Sequence, residues 1–311
     1  MRESRGEIEP MRILYFGNGI RGVRCLEALV EKGRRGDIVA VITPPGEADQ
    51  VAVSAKKHGF KIMQPERVNG EGSIREITSL TPDLFILAGY NRILKKELIS
   101  VPPLGAINLH GGKLPEYRGV APINWQIING ETTGGCAILF VDEGIDTGDI
   151  IAQELYEITE EDTAATILEK TLELFPRLLL AVVNDLEQGR VTRVKQNLLQ
   201  GCYYTRRYPR DGRIGWREMT AFQVYNLVRA LVRPYPGAFF YYKHIKIIVN
   251  RSTLIPEEIK GTPGRIVLFR GEGMVVTARD RGILIEEIAI EAETSSITPR
   301  SYFKVLGEDL D

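Results

Sequence analysis

Cysteine is scarce, with three residues in 311. That is too few for a disulfide framework and excludes a small stapled secreted scaffold, so a reducing, cytoplasmic setting is expected. Histidine is as scarce. Only His58, His110 and His244 occur, so chemistry that needs an imidazole has a short list of candidates. Long apolar runs are missing: the best, such as 137–141 and 178–183, fall far short of the roughly 20 residues that span a bilayer. No membrane partner is expected. The opening MRESRGEIEP lacks the apolar core of a signal peptide and reads as a flexible extension. An excess of one charge is missing too. The 40 Lys and Arg face 41 Asp and Glu, which disfavours a whole-chain binder of nucleic acid though not a local patch.

What is present is ordinary globular composition, 43% hydrophobic and 26% charged. On the usual size scale a chain this long carries two domains. Apolar runs at 12–16, 37–42, 61–63, 83–88 and 106–109 alternate with helix-like stretches at 21–32, 51–58, 73–80 and 95–99. This is the βαβ rhythm of a parallel α/β sheet. A helix at 121–129 follows, then strands at 136–141 and 150–156, for which antiparallel pairing is open, and a long helix over 163–187 with Pro176 predicting a kink. From Gly237 onward short strands between Gly and Pro turns predict a small β-barrel or sandwich. The expected domains are 11–200 and 201–311.

Gly17-Asn18-Gly19-Ile20-Arg21-Gly22 matches the G-x-G-x-x-G spacing of a dinucleotide site, after a strand and before a helix. Such a site also wants a carboxylate at the end of the second strand to hold a ribose. That strand ends Val41-Ile42-Thr43-Pro44-Pro45. With no carboxylate there, a tight turn that lets the helix pack closely, or a wall for some other ligand, fits better than a nicotinamide site. Cys25, Cys136, His58 and His244 read as structural.

The stretch from Gly105 to Asp149 carries the denser signal. Asn108 and His110 alternate along a strand end and share a face, where open α/β sheets form their ligand crevice. The acidic loop 142–149 follows the next apolar strand and should approach the same edge. Amide, imidazole and carboxylate together supply an oxyanion donor, a proton carrier and a group to orient it. Read alone, a histidine at a strand end is more often structural than catalytic, and several acids in one loop are usually a solvated turn and sometimes a metal site.

Asn108-Leu109-His110, Leu114-Pro115-x-Tyr117-Arg118-Gly119 and Gly144-Ile145-Asp146-Thr147-Gly148, in this order and spacing, resemble the folate-dependent formyltransferase family. The resemblance implies a Rossmann-like, mainly parallel α/β catalytic domain followed by a smaller β-rich, OB-like barrel domain. It also implies an N-formyltransferase with 10-formyltetrahydrofolate as co-substrate and no metal. By position, Asn108, His110 and Asp146 take the catalytic roles. Asn108 donates to the developing oxyanion, His110 stabilises that oxygen or moves the proton, and Asp146 orients His110. Leu87, Ala88, Tyr90, Val141 and Asp142 would line the folate, and Tyr117, Arg118, Arg206 and Arg207 the acceptor. One departure is His110-Gly111-Gly112-Lys113 where the family commonly has His-x-Ser-Leu, which bears on acceptor contacts rather than on the three catalytic residues.

Two acceptors compete. Methionyl-tRNA formyltransferases carry a basic insertion after the second strand, whereas Pro44–Gln50 here contains Glu47 and Asp49 and no cation. Asn124-Trp125 resembles the sugar-nucleotide formyltransferases, though formyltetrahydrofolate dehydrogenase hydrolase domains share it, and the stretches 204–216 and 225–239 resemble UDP-4-amino-4-deoxy-L-arabinose formyltransferase. Residues 1–197 hold 23 cations against 28 acids, whereas 206–251 hold 10 against 2. These observations favour a nucleotide-linked 4-amino sugar, used in surface polysaccharide or lipid modification, as acceptor. They disfavour tRNA, and methionyl-tRNA formylation stands as the alternative. A homo-oligomer is compatible with the sequence.

Overall fold

The computed structural model describes residues 10–46, 49–291 and 295–311. The opening nine residues, expected to be a flexible extension, lie outside these, as does Glu47. In chain order the elements are β1 (Ile13–Gly17), α1 (Gly19–Glu31), β2 (Ile38–Ile42), α2 (Gln50–Lys57), β3 (Ile62–Met63), α3 (Glu71–Ser79), β4 (Leu84–Ala88), α4 (Lys96–Ile99) and β5 (Ala106–His110). They continue with β6 (Tyr117–Gly119), α5 (Pro122–Ile128), β7 (Thr133–Phe140), β8 (Ile150–Glu157), α6 (Ala164–Glu187), β9 (Cys202–Tyr204) and α7 (Ala221–Ala230). The chain closes with β10 (Ala238–Tyr242), β11 (Ile245–Leu254), β12 (Ile266–Arg270), β13 (Gly273–Thr277), β14 (Gly282–Ile290) and α8 (Pro299–Tyr302).

Contacts divide the chain into two compact units. One comprises Met1–Arg118, Gly135–Leu155 and Lys170–Tyr203; the other comprises Gly119–Gly134, Tyr156–Glu169 and Tyr204–Asp311. The first is built on a seven-stranded sheet in the order β3-β2-β1-β4-β5-β7-β8. β1 pairs in parallel with β2 and β4, and β4 with β5. Every residue of β1 and of β4 is buried, which is what a parallel sheet covered on both faces demands of its strands. β7 breaks the pattern. It runs antiparallel to β5, with Ile107 opposite Phe140 and His110 opposite Ala137.

α1 begins on the glycine motif. A Cβ added at Gly22 would lie 2.7 Å from Val51 Cγ2 and 2.9 Å from the Ala88 carbonyl oxygen, and the Tyr15 hydroxyl donates to the Gly22 carbonyl at 2.6 Å. The spacing of 17–22 thus serves close packing of α1 against α2 and the sheet. Asp49 is the N-cap of α2, its Oδ1 accepting from the Val51 and Ala52 amides, each at 2.9 Å.

The second unit holds a five-stranded sheet in the order β10-β11-β14-β13-β12, antiparallel throughout. Its core gathers Trp216, Phe240, Val249, Met274, Ile283, Ile285 and Phe303 with residues of α5 and α7. α7 opens on a capping box in which Thr220 and Gln223 satisfy each other's backbone amides. Two short strands, β6 and β9, pair with each other. Neither was expected from a three-residue pattern too short to show a period. Among the described residues no helix is long and apolar enough to cross a membrane.

Candidate active site

β5 ends in Asn108-Leu109-His110, and the alternation expected from sequence is realised. His110 is 5% exposed. Its Nε2 lies 2.6 Å from the carbonyl oxygen of Tyr117. A carbonyl only accepts, so Nε2 carries a proton. Nδ1 faces the other way, 3.4 Å from Asp146 Oδ2. Asn108 Nδ2 donates to the second carboxylate oxygen of Asp146 at 3.2 Å. The amide, imidazole and carboxylate therefore meet, with Asp146 touching both partners.

The route by which Asp146 arrives differs from expectation. Because β7 runs antiparallel, its last residue lies beside Ile107, at the end of β5 away from His110. The connection between β7 and β8 must turn back along β5. Asp142 folds it, with Oδ1 accepting from the Gly144 amide at 3.0 Å and the Thr147 hydroxyl at 2.6 Å. Asp146 itself adopts left-handed backbone, φ +55, a region open to Asp and Asn at modest cost. Gln196 completes the arrangement. It is 7% exposed, and its Nε2 donates to the carbonyl oxygens of Asp146 (2.9 Å) and Gly148 (2.7 Å). Nothing in the local sequence marks Gln196, because its partners are backbone carbonyls. Arg21 supports the other side, its Nη1 donating to the Leu109 carbonyl at 3.3 Å and its guanidinium lying 4.6 Å from the Phe175 ring centroid.

Of the residues expected to line the folate, Leu87 and Tyr90 belong to one apolar cluster with Phe16 and Leu94, against which Val141 packs. Leu87 pairs in register with Asn108. The Tyr90 hydroxyl is buried with no hydrogen-bond partner, and burial pushes it up to about 12. Ala88 is fully buried, and its carbonyl oxygen accepts from the Asn18 amide at 3.1 Å. Asp142 is occupied in folding the loop. Of the residues expected at the acceptor, Tyr117 is buried, at 4% exposed, and offers its carbonyl to His110. Arg118 is 8% exposed. Its Nη2 donates to the carbonyls of Leu198 (3.1 Å) and Gln200 (3.3 Å), while Nε has no partner. Arg118, Ile145, Thr147 and Tyr203 line a cleft beside the Asp146 loop. Arg206 and Arg207 lie in the second unit. Arg206 is exposed there, and Arg207 stacks on Trp125. Among the described residues no group of three or more His, Cys, Asp or Glu is placed to hold a metal ion.

Two family models match this chain, the formyl transferase model over residues 11–183 and the formyl transferase C-terminal domain over 207–305. The chain belongs to the formyl transferase family. The folate-dependent N-formyltransferase chemistry expected from the motifs is that of its relatives. A methionyl-tRNA formyltransferase of Ruminiclostridium cellulolyticum is 34% identical over 97% of this chain and 98% of its own length. One from Acetivibrio thermocellus is 34% identical over 91% and 93%. Among solved structures, the N-formyltransferase of Helicobacter canadensis, in complex with folinic acid and dTDP-3-aminofucose, superposes with a TM-score of 0.69 at 21% identity, covering 88% of this chain and 98% of that one. HypX of Aquifex aeolicus, in complex with tetrahydrofolic acid, gives 0.62 at 20% over 94% and 46%.

These relatives correct the expected acceptor. The nucleotide-linked amino sugar, and with it the polysaccharide role, rested on short stretches, whereas full-length relatives at 31–34% identity are methionyl-tRNA formyltransferases. Likeness to the sugar enzymes lies at the level of the fold, near 20% identity. The expectation that tRNA is disfavoured falls with it, and the alternative of methionyl-tRNA formylation is the better supported of the two. The structure shows why charge counting misled. Asp49 is not a free acid repelling phosphate but the cap of α2. Part of the basic surplus in 206–251 is paired as well, so the totals measured neither the repulsion nor the attraction a phosphate backbone would meet. Lys243 pairs with Glu308, Lys246 with Glu291 and Arg251 with Glu286, and Arg229 is buried against the carbonyls of Thr159 and Asp162.

Proposed function

We propose that this chain transfers the formyl group of 10-formyltetrahydrofolate to the α-amine of methionyl-tRNA in the cytoplasm, with the chemistry in residues 11–200. The observation that carries the reading is the end-to-end match to methionyl-tRNA formyltransferases, joined to the meeting of Asn108, His110 and Asp146.

The residues present fit a folate. Leu87, Tyr90 and Val141 offer an apolar wall, and the buried Tyr90 hydroxyl without a partner is a polar contact waiting for a heterocycle. Held there, the folate supplies the formyl carbon and the leaving nitrogen. Asn108 spends one N–H on Asp146 and retains the other for an oxygen that gains negative charge; such a preorganised donor is worth about 2.7–4 kcal/mol in related sites. His110 is fixed by the Tyr117 carbonyl at Nε2, so the proton it exchanges is the one at Nδ1. The Asp146 carboxylate beside Nδ1 stabilises the imidazolium formed when the acceptor amine is deprotonated, and the same proton would pass from Nδ1 to the leaving nitrogen as its bond to the formyl carbon breaks, which restores neutral His110. Arg118 braces the turn at Leu198–Gln200 beside the cleft.

The test is incubation of the purified protein with 10-formyltetrahydrofolate and methionyl-tRNA, read as a formyl mass shift on the aminoacyl end. Uncharged tRNA and free methionine are the controls. Formylation that requires the charged tRNA is the expected result. No mass shift on methionyl-tRNA under conditions where the folate binds would overturn the acceptor assignment.

A further inference from the structure

Residues 188–210 contain six cations, Arg190, Arg193, Lys195, Arg206, Arg207 and Arg210, and no acid, with Tyr203, Tyr204 and Tyr208 among them. A charge run alone is a solvated surface. The later part of this one is something more. Within the second unit Trp125 Nε1 donates to the Thr205 carbonyl at 3.1 Å, and Asn129 Nδ2 donates to the Tyr204 hydroxyl at 2.8 Å. These bonds hold the Trp125 and Tyr204 rings with centroids 5.2 Å apart. The Arg207 guanidinium lies 4.6 Å from the Trp125 ring centroid, and its Nη2 donates to the Asp211 carbonyl at 2.6 Å. Its Nε is buried with no partner. Around this stack, Tyr208 is 52% exposed, with the Arg210 guanidinium 5.1 Å from its ring centroid, and Arg206 is exposed.

Proteins that grip unpaired nucleotides combine aromatic and guanidinium faces, on which bases stack, with cations that follow the phosphates. The cluster has both, already ordered by its own hydrogen bonds. The loop 44–50 has no cation to share the task. We propose that the Trp125–Tyr204–Arg207 stack, with Tyr208, Arg206 and Arg210 around it, is a platform for the unpaired nucleotides of an RNA strand. The inference rests on the reading of tRNA as acceptor and names the part of the chain that receives its single-stranded end.

The experiment is fluorescence anisotropy of the full-length protein with a labelled single-stranded RNA ending in CCA, and with a blunt RNA duplex, across a salt series. Steady-state formylation of methionyl-tRNA is measured beside it. Tyr208→Ala and the Arg206→Ala/Arg210→Ala double variant alter exposed side chains and should melt as wild type does, and Trp125→Leu probes the stack itself. Wild type is expected to bind the single strand in preference to the duplex. Tyr208→Ala and Trp125→Leu should each weaken single-strand binding at least fivefold. The double variant should flatten the log–log salt dependence by about 1 to 1.5. In formylation the KM for methionyl-tRNA should rise and kcat should hold. Equal affinity for duplex and single strand, or single-strand binding and KM unchanged in Tyr208→Ala and the double variant, would overturn the platform and leave the proposed reaction standing. Preferential binding of the single strand by wild type, lost in the variants, with no formylation of methionyl-tRNA, would sustain the platform and sink the acceptor reading.

Discussion

Asp146 Oδ2 lies 3.4 Å from His110 Nδ1 while Asp146 itself sits in left-handed backbone, φ +55. Asparagine is at home in that region too, so Asp146→Asn keeps the loop and removes the charge. Turnover on methionyl-tRNA should fall by about two to four orders of magnitude, with the melting temperature little changed. A kcat within threefold of wild type would show that the carboxylate plays no part in the proton transfer.

Gly22 is the position where the α1 turn leaves least room. Gly22→Ala would press a methyl into Val51 and the Ala88 carbonyl and should cost about 1–3 kcal/mol, measured by urea unfolding. If the motif instead cradled a nicotinamide cofactor, calorimetry would detect tight NAD binding to the wild type, and none is expected.

Cys25 and Cys136 are buried, and burial pushes both thiols up to about 12. Cys202 is exposed. In native protein a thiol reagent at pH 8 should therefore label one cysteine per chain rapidly, and all three only after denaturation. Mapping the fast site by mass spectrometry to Cys25 or Cys136 would contradict the packing of α1 and β7.

Glu27 joins α1 to the end of α2, with Oε1 accepting from the Ser54 hydroxyl at 2.6 Å and Oε2 lying 2.7 Å from His58 Nε2. Burial pushes its carboxyl up, but the bonds from Ser54 and His58 outweigh that and hold it below its ordinary 4.5. A carboxyl held low when folded lends stability that is complete above the unfolded value and fades as pH drops through the folded one. Glu27→Gln should thus melt below wild type at pH 6, and the gap should narrow once pH falls beneath about 4.5. A gap that stays constant from pH 6 to pH 3 would argue that the effect is one of shape rather than charge.

The βαβ rhythm and the shared face of Asn108 and His110 were legible because period and alternation are local properties of the chain. The direction of β7 was not. A buried strand reads alike whether it runs with or against its neighbour, and direction is set by pairing with β5. Gln196 was invisible for a related reason, since a side chain that serves two carbonyls leaves no motif. The acceptor was misread because a loop without cations and a few short stretches were weighed above the likeness of the whole chain, which only full-length relatives bring out.

The reversed strand also has a mechanical meaning. β5 and β7 are locked residue against residue from Ile107–Phe140 to His110–Ala137, and a slip by one place would turn the side chains of a whole strand to the opposite face. The loop that delivers Asp146 starts from that fixed anchor. The spacing between imidazole and carboxylate is therefore gauged by the sheet. The outer part of the loop, where Glu143 and Ile145 stand exposed, is tied down separately, Glu143 lying 2.6 Å from the Lys96 ammonium.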